Sequence, residues 1–342
     1  MHRVSEEVSP MLPSIASPQL WAISIVVLLA LLAADFVVTR RPHDVPMREA
    51  VGWSVFYMAL PAVFGLVLWW VYGSRPAIEF YTGFVVEKSL SVDNLFVFML
   101  LLGAFAVPPS LAQRVLLYGI VGALVLRGVF IAAGAAVLQA GTWAFLLFGA
   151  ALLLTAIKVM RDAVRGDDHE IDIDQMRSVR LMRRFFPVTR DYRGAKLVVR
   201  EAGRRALTPL AVVVVAVFMT DIVFAVDSVP AVYGVTEDPY LVFATNAFAL
   251  MGLRALYFVL RNVLDKLRHL NYGLAIILAF IGVKLVLHWA HGIWKSVPEV
   301  PTLASLGFIA LTLITVTMTS VIANRRDAKA LTEPEKVEAG RT

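Results

Sequence analysis

Apolar residues run along this chain in long stretches, with polar positions gathered in short clusters between them. Nine stretches are long enough for a helix to cross a hydrocarbon core: Trp21–Val38, Val51–Tyr72, Phe80–Val107, Gln113–Leu138, Trp143–Met160, Leu207–Tyr233, Tyr240–Leu260, Tyr272–Ala290 and Thr302–Ala323. The pattern predicts an all-α, polytopic membrane protein of about nine spanning helices in one membrane domain. Outside the spans remain a short N-terminus, a 46-residue connection (161–206), and a tail rich in Glu, Lys and Ala.

A few charged residues interrupt the apolar runs, and they do so twice in the same order. Val86–Leu95 (VEKSLSVDNL) is echoed by Thr220–Val229 (TDIVFAVDSV), so Glu87 matches Asp221, Asp93 matches Asp227 and Asn94 matches Ser228. Each copy is followed by one Arg in the next run, Arg127 and Arg254, and then by one Lys, Lys158 and Lys284, at steps of 31 and 30 residues. Carboxylates at membrane depth cost several kcal/mol and mark ion or substrate paths. The copies predict two three-helix units, residues 80–160 and 207–291. Because three is odd, the second unit enters from the opposite side, the inverted-repeat plan of transporters with a midplane site.

Within each copy the two acids stand six residues apart. On a straight helix that spacing separates them by about 120° and about 9 Å. Either the helix unwinds there, as Ser89, Ser91 and Pro230 would permit, or the two acids serve different partners.

Composition agrees with a membrane protein. Of 342 residues 59% are hydrophobic and 17% charged, and the mean hydropathy is +0.73. Of the 32 Lys and Arg, 24 fall in segments that share a side with the C-terminus, Arg114 at the very start of its run counted among them, against three on the other side (Arg3, Arg75, Lys295) and five within spans. The positive-inside rule therefore predicts an external N-terminus and a cytoplasmic C-terminus. This bias accounts for the basic pI without a nucleic-acid partner, and basic residues in the connection suit anionic membrane lipid. Glu6 and Glu7 give the first run the wrong polarity for a cleaved signal, so it is read as retained. The absence of cysteine excludes disulfides and thiolate chemistry.

Four carboxylates with Asn94 and Ser228 nearby make a hard oxygen environment suited to Mg²⁺, Mn²⁺ or Ca²⁺. Blander readings stand beside this one. Arg127 and Arg254 pair with carboxylates across helices, Lys158 reaches for the interface, and Lys88 and Lys284 act as counter-ions. An Arg and Lys cluster could also hold an oxyanion. Asp35 is expected to pair with Arg40 or Arg41, Asn246 to bond between helices, and the acidic run Asp167–Asp174 to be a solvated loop. No phosphate loop, nucleophile elbow or HExxH motif is found, and no enzyme activity is expected.

The stretches Val86–Pro108 and Phe218–Gly234, with Asn246–Tyr257, resemble the signatures of the TerC/Alx family of integral membrane proteins, and the likeness extends over about residues 20 to 325. That resemblance implies a bacterial inner-membrane exporter of Mn²⁺ related in plan to LysE-type exporters, with no resident cofactor and the metal as cargo. It also implies tellurite resistance and a partnership with the secretion machinery, supplying Mn²⁺ to exported enzymes. Carried over position by position, the ligand candidates are Glu87, Asp93, Asp221 and Asp227, with Asn94 and Ser228 beside them. Two other readings remain: a membrane partner in metalation or tellurite resistance that does not itself transport, and an anion transporter using Arg127 and Arg254.

The charge bias yields a direct test, since the chain has no native thiol. Thr142→Cys is expected to react with an impermeant thiol reagent on intact cells, and Ser178→Cys is not. The reverse pattern overturns the orientation.

Overall fold

The computed structural model describes residues 14–38, 47–165, 187–189, 191–201, 204–260 and 269–339. The acidic run Asp167–Asp174 and the residues Arg40 and Arg41 lie outside that set. Ten helices and one hairpin appear: α1 (Pro18–Val38), α2 (Met47–Tyr72), α3 (Ser74–Ala104), α4 (Pro109–Ala140), α5 (Trp143–Arg165), β1 (Val198–Glu201), β2 (Arg204–Leu207), α6 (Pro209–Tyr233), α7 (Pro239–Met251), α8 (Leu253–Leu260), α9 (Leu270–Ile293) and α10 (Thr302–Ala339).

Proline sets several of the starts. It occupies the first turn of α4, α6 and α7, where its missing N–H costs nothing. Thr208 caps α6 by accepting from the Ala211 N–H, and Asp238 caps α7 by accepting from the Tyr240 N–H at 2.9 Å.

Eight stretches are long and apolar enough to cross a membrane, one of them Pro239–Val259, which comprises α7 and most of α8. The ninth expected span, α3, has the length but carries Glu87, Lys88 and Asp93 in its middle. Its charge content, not its length, sets it apart. Of the two alternatives for the acid pairs, unwinding is excluded: α3 and α6 run helical through the acidic signatures, Pro230 included. The interruption falls instead at Gly252, between α7 and α8. Pro230, in the last turn of α6, has no N–H to give the Val226 carbonyl, and the helix nonetheless continues to Tyr233.

The helices pack as α5 on α9, α4 on α6 and α3 on α7, with α2 against α3 and α8 and α10 against α3 and α9. Buried apolar side chains form two main clusters. One joins Leu90, Ile131, Val229 and Val242; the other joins Leu95, Ala123, Val217 and Leu250. On α4, α6 and α7 Arg127, Asp221 and Asn246 lie between the two clusters, and on α3 Asn94 does. Around the outside, α1, α2 and α10 present broad apolar faces, with Trp70 89% exposed and Leu303 and Leu311 each 64% exposed. Lipid is the solvent such faces require.

Small residues let two backbones meet in the α5–α9 pair. A Cβ on Gly149 would lie 2.9 Å from the Gly282 carbonyl oxygen, and one on Gly282 would lie 3.0 Å from that of Gly149. Gly149→Val or Gly282→Val is expected to cost about 1–3 kcal/mol through overpacking, read as a lower melting temperature in detergent. Gly128→Val, where nothing lies within 4 Å, serves as the control. Equal melting of all three variants would remove the close-approach argument.

Candidate metal centre

Arg127 is the hub. It stands near the middle of α4 with its side chain wholly buried, so its guanidinium must find partners within the protein. It forms an ion pair with Glu87 of α3 through Nη1, which also donates to Asn246 Oδ1 of α7 at 2.8 Å. Nη2 reaches Asp221 Oδ1 of α6 at 3.4 Å. With the Asn94 amide oriented by its hydrogen bonds, its nitrogen donates to the Leu90 carbonyl at 3.0 Å and its oxygen accepts from Arg127 Nη2 at 3.2 Å. Four helices thus converge on one guanidinium. Asn246 is also held by its own helix, donating to the Val242 carbonyl at 2.9 Å.

Two carboxylates face one guanidinium, so the described groups leave a net negative centre. Each acid uses one oxygen on Arg127 and has the other unmatched. Among the described residues Glu87 Oε2 and Asp221 Oδ2 are buried without a hydrogen-bond partner, as are Arg127 Nε and the Ser91 and Ser228 hydroxyls. A buried carboxylate oxygen left so is costly, and it suits a hard cation or a proton. Among the described residues no group of three or more His, Asp and Glu could by itself hold a metal ion. A cation here would rest on Glu87 and Asp221, with neutral oxygens completing its shell.

The other candidates are dispersed. Asp227, six residues beyond Asp221, accepts from the Thr155 hydroxyl of α5 at 2.8 Å and does not join the Arg127 cluster. Asp93 lies in α3, and its side chain is outside the described residues. Lys88 donates to the Ala249 carbonyl at 3.2 Å, near the interruption at Gly252. Lys158 is exposed on α5, in the position of a side chain reaching outward. Arg254 pairs with Asp35 of α1; Arg40 and Arg41, the partners expected for Asp35, lie outside the described residues. Helix adjacency makes this pair: α1 brings Asp35 beside a buried guanidinium that needs a counter-charge.

Lys284 lines a cavity of about 800 Å³ at the bundle end where α3 begins and α6 ends. Thr236 donates to Glu79 Oε2 there at 2.7 Å, and Arg75 pairs with Glu79 at 2.9 Å. His288 stands between Glu237 at 3.4 Å and Glu299 at 3.1 Å. Sequence reasoning missed this cavity, along with Thr155. Only Glu79, one turn from Arg75, left a visible signal.

A bundle of membrane-length helices closed around a buried ionic centre defines a polytopic membrane protein with a polar interior. Residues 72–328 match the integral membrane protein TerC family, and the chain belongs to it. It is 38% identical over 319 residues to an uncharacterized membrane protein of Myxococcus xanthus, covering 93% of this chain and 98% of the other. It is 37% identical over 328 residues to Alx of Salmonella typhi, a proposed membrane-bound redox modulator, covering 92% and 98%. An uncharacterized membrane protein of Mycobacterium tuberculosis is 41% identical over 277 residues, covering 81% of this chain and 70% of its own. No solved structure matches the chain.

Removing the hub should expose its role. Arg127→Met leaves two buried carboxylates uncompensated and is expected to cost about 3–5 kcal/mol, seen as poor accumulation in the membrane and early melting. Adding Glu87→Gln and Asp221→Asn should restore most of the loss. A single Arg127→Met variant that melts like wild type contradicts the ionic-hub reading.

Proposed function

We propose that this protein exports a hard divalent cation, Mn²⁺ foremost, through a midplane site on Glu87 and Asp221, with Asp93 and Asp227 serving the path on either side. The observation that carries this reading is the pair of buried carboxylate oxygens, Glu87 Oε2 and Asp221 Oδ2, that find no hydrogen-bond partner among the described residues. They lie at matching positions of the two signature copies and are joined through one arginine.

The packing supports two related halves. An exchange of α3 with α6, α4 with α7–α8 and α5 with α9 leaves the pairs α5–α9, α4–α6 and α3–α7 unchanged as a set. Helices so related suit alternating access, one half rocking against the other around a fixed site. When the metal leaves, the acids must regain a partner, and a proton is the smallest one available, so we read transport as proton antiport. The charge bias assigns the cavity near His288 to the outside and the end near Phe105 to the cytoplasm of a bacterial inner membrane.

Oxyanion transport is the weaker reading, because both arginines it would need are occupied by carboxylates. The name of the Salmonella typhi relative points toward redox balance. This chain has no cysteine, and we infer that any such effect here runs through metal supply, whether or not exported enzymes and the secretion machinery receive the metal.

Glu87→Gln and Asp221→Asn keep shape and hydrogen bonding but remove the charge a dication needs. Each is expected to abolish Mn²⁺ flux in reconstituted vesicles while the protein still folds, with Asp93→Asn and Asp227→Asn slowing it. Near wild-type flux in both central variants rules out the ligand assignment. If an imposed pH gradient moves no Mn²⁺ and Mn²⁺ flux moves no protons, antiport is wrong even where the site is right.

A further inference from the structure

The connection between the two halves ends in a small fixed hairpin. Strands β1 and β2 pair antiparallel in the register Val198↔Leu207, Val199↔Ala206, Arg200↔Arg205 and Glu201↔Arg204. It is tied to the bundle at several points. Tyr192 donates to the Phe105 carbonyl at the end of α3 at 2.7 Å, and the Thr208 hydroxyl that caps α6 donates to the Lys196 carbonyl at 2.7 Å. The Leu207 N–H donates to Pro187 and its carbonyl accepts from Thr189, each at 2.9 Å.

Alternation gives the hairpin two faces. Ala206 on one is buried, with Val199 beside it, so that face turns inward. The other carries Val198, 51% exposed, and the exposed Arg200 and Arg205. The two arginines stand directly opposite each other, a placement that destabilises a strand pair unless something negative lies between or over them. Among the described residues neither has an ion-pair partner; Glu201, on the neighbouring position, engages Arg193 at 3.7 Å. Lys196 adds a third exposed cation on the approach to β1. Only Thr208 separates β2 from the first turn of α6, a membrane span, so this face stands at the level of the lipid headgroups.

We propose that the Val198–Arg200–Arg205 face is a seat for the phosphate of anionic lipid in the leaflet where α3 ends and α6 begins. The arginines supply planar, bidentate phosphate donors, and Val198 supplies an apolar contact at the interface. Lipid held there would brace the joint between the two halves.

Native mass spectrometry of the full-length protein in a neutral detergent tests this, with phosphatidylglycerol competed against phosphatidylcholine. The wild type is expected to retain the anionic lipid preferentially. Arg200→Gln/Arg205→Gln should weaken that preference roughly 25-fold, about five-fold for each arginine near an anionic surface. Arg161→Gln/Arg165→Gln, an equal loss of exposed charge at the end of α5, should leave it within two-fold, roughly. Three results overturn the proposal: no preference in the wild type, an equal loss in both double variants, or displacement of the lipid by inorganic phosphate at matched concentration, which would make the face a free-anion site. Because neither pair touches the Glu87–Arg127–Asp221 centre, the outcome is independent of whether the chain carries Mn²⁺.

Discussion

One requirement organises this molecule: a guanidinium placed in the middle of a membrane must be matched by carboxylates from other helices. Water cannot solvate Arg127, and lipid is worse, so α3, α6 and α7 are drawn to α4 at one depth. The apolar clusters on either side are then separated by a polar layer and cannot merge. Because two acids meet one base, matching is incomplete by one charge, and the structure keeps the shortfall buried.

The two arginines diverge in what they hold. Arg127 joins acids from both signatures, whereas Arg254 turns outward to Asp35 on α1, a helix outside either half. The second arginine therefore fastens a peripheral helix to α8, and only one of two matching positions is committed to the centre.

Much of this was legible in the sequence because membrane physics writes it there. Runs of apolar residues announced the spans, and charges within them announced the centre, since nothing else tolerates charge at that depth. Asn246 was correctly read as an interhelical bond. What the sequence withheld was adjacency. Asp35 and Arg254 are 219 positions apart, and no local pattern says that α1 lies against α8. Nor does spacing reveal that Asp227 turns toward Thr155 while Asp221 faces Arg127; a continuous helix sends residues six apart to different neighbours, and the sequence left open whether the helix was continuous. The terminal cavity is built from six separate segments of the chain, which no local pattern brings together.

The charge in α3 bears on how the chain enters the bilayer. Among the described residues eight stretches are long and apolar enough to cross a membrane, and α3, with its charges, is not one of them. During synthesis Glu87 emerges 40 residues before Arg127, whereas Asp221 follows Arg127 by 94. The first pair can form while α3 and α4 enter together as a hairpin, neutralising each other before any later helix exists. Asp221 then arrives at a site already assembled. The order of translation thus makes the second half the one that turns a neutral pair into a charged centre.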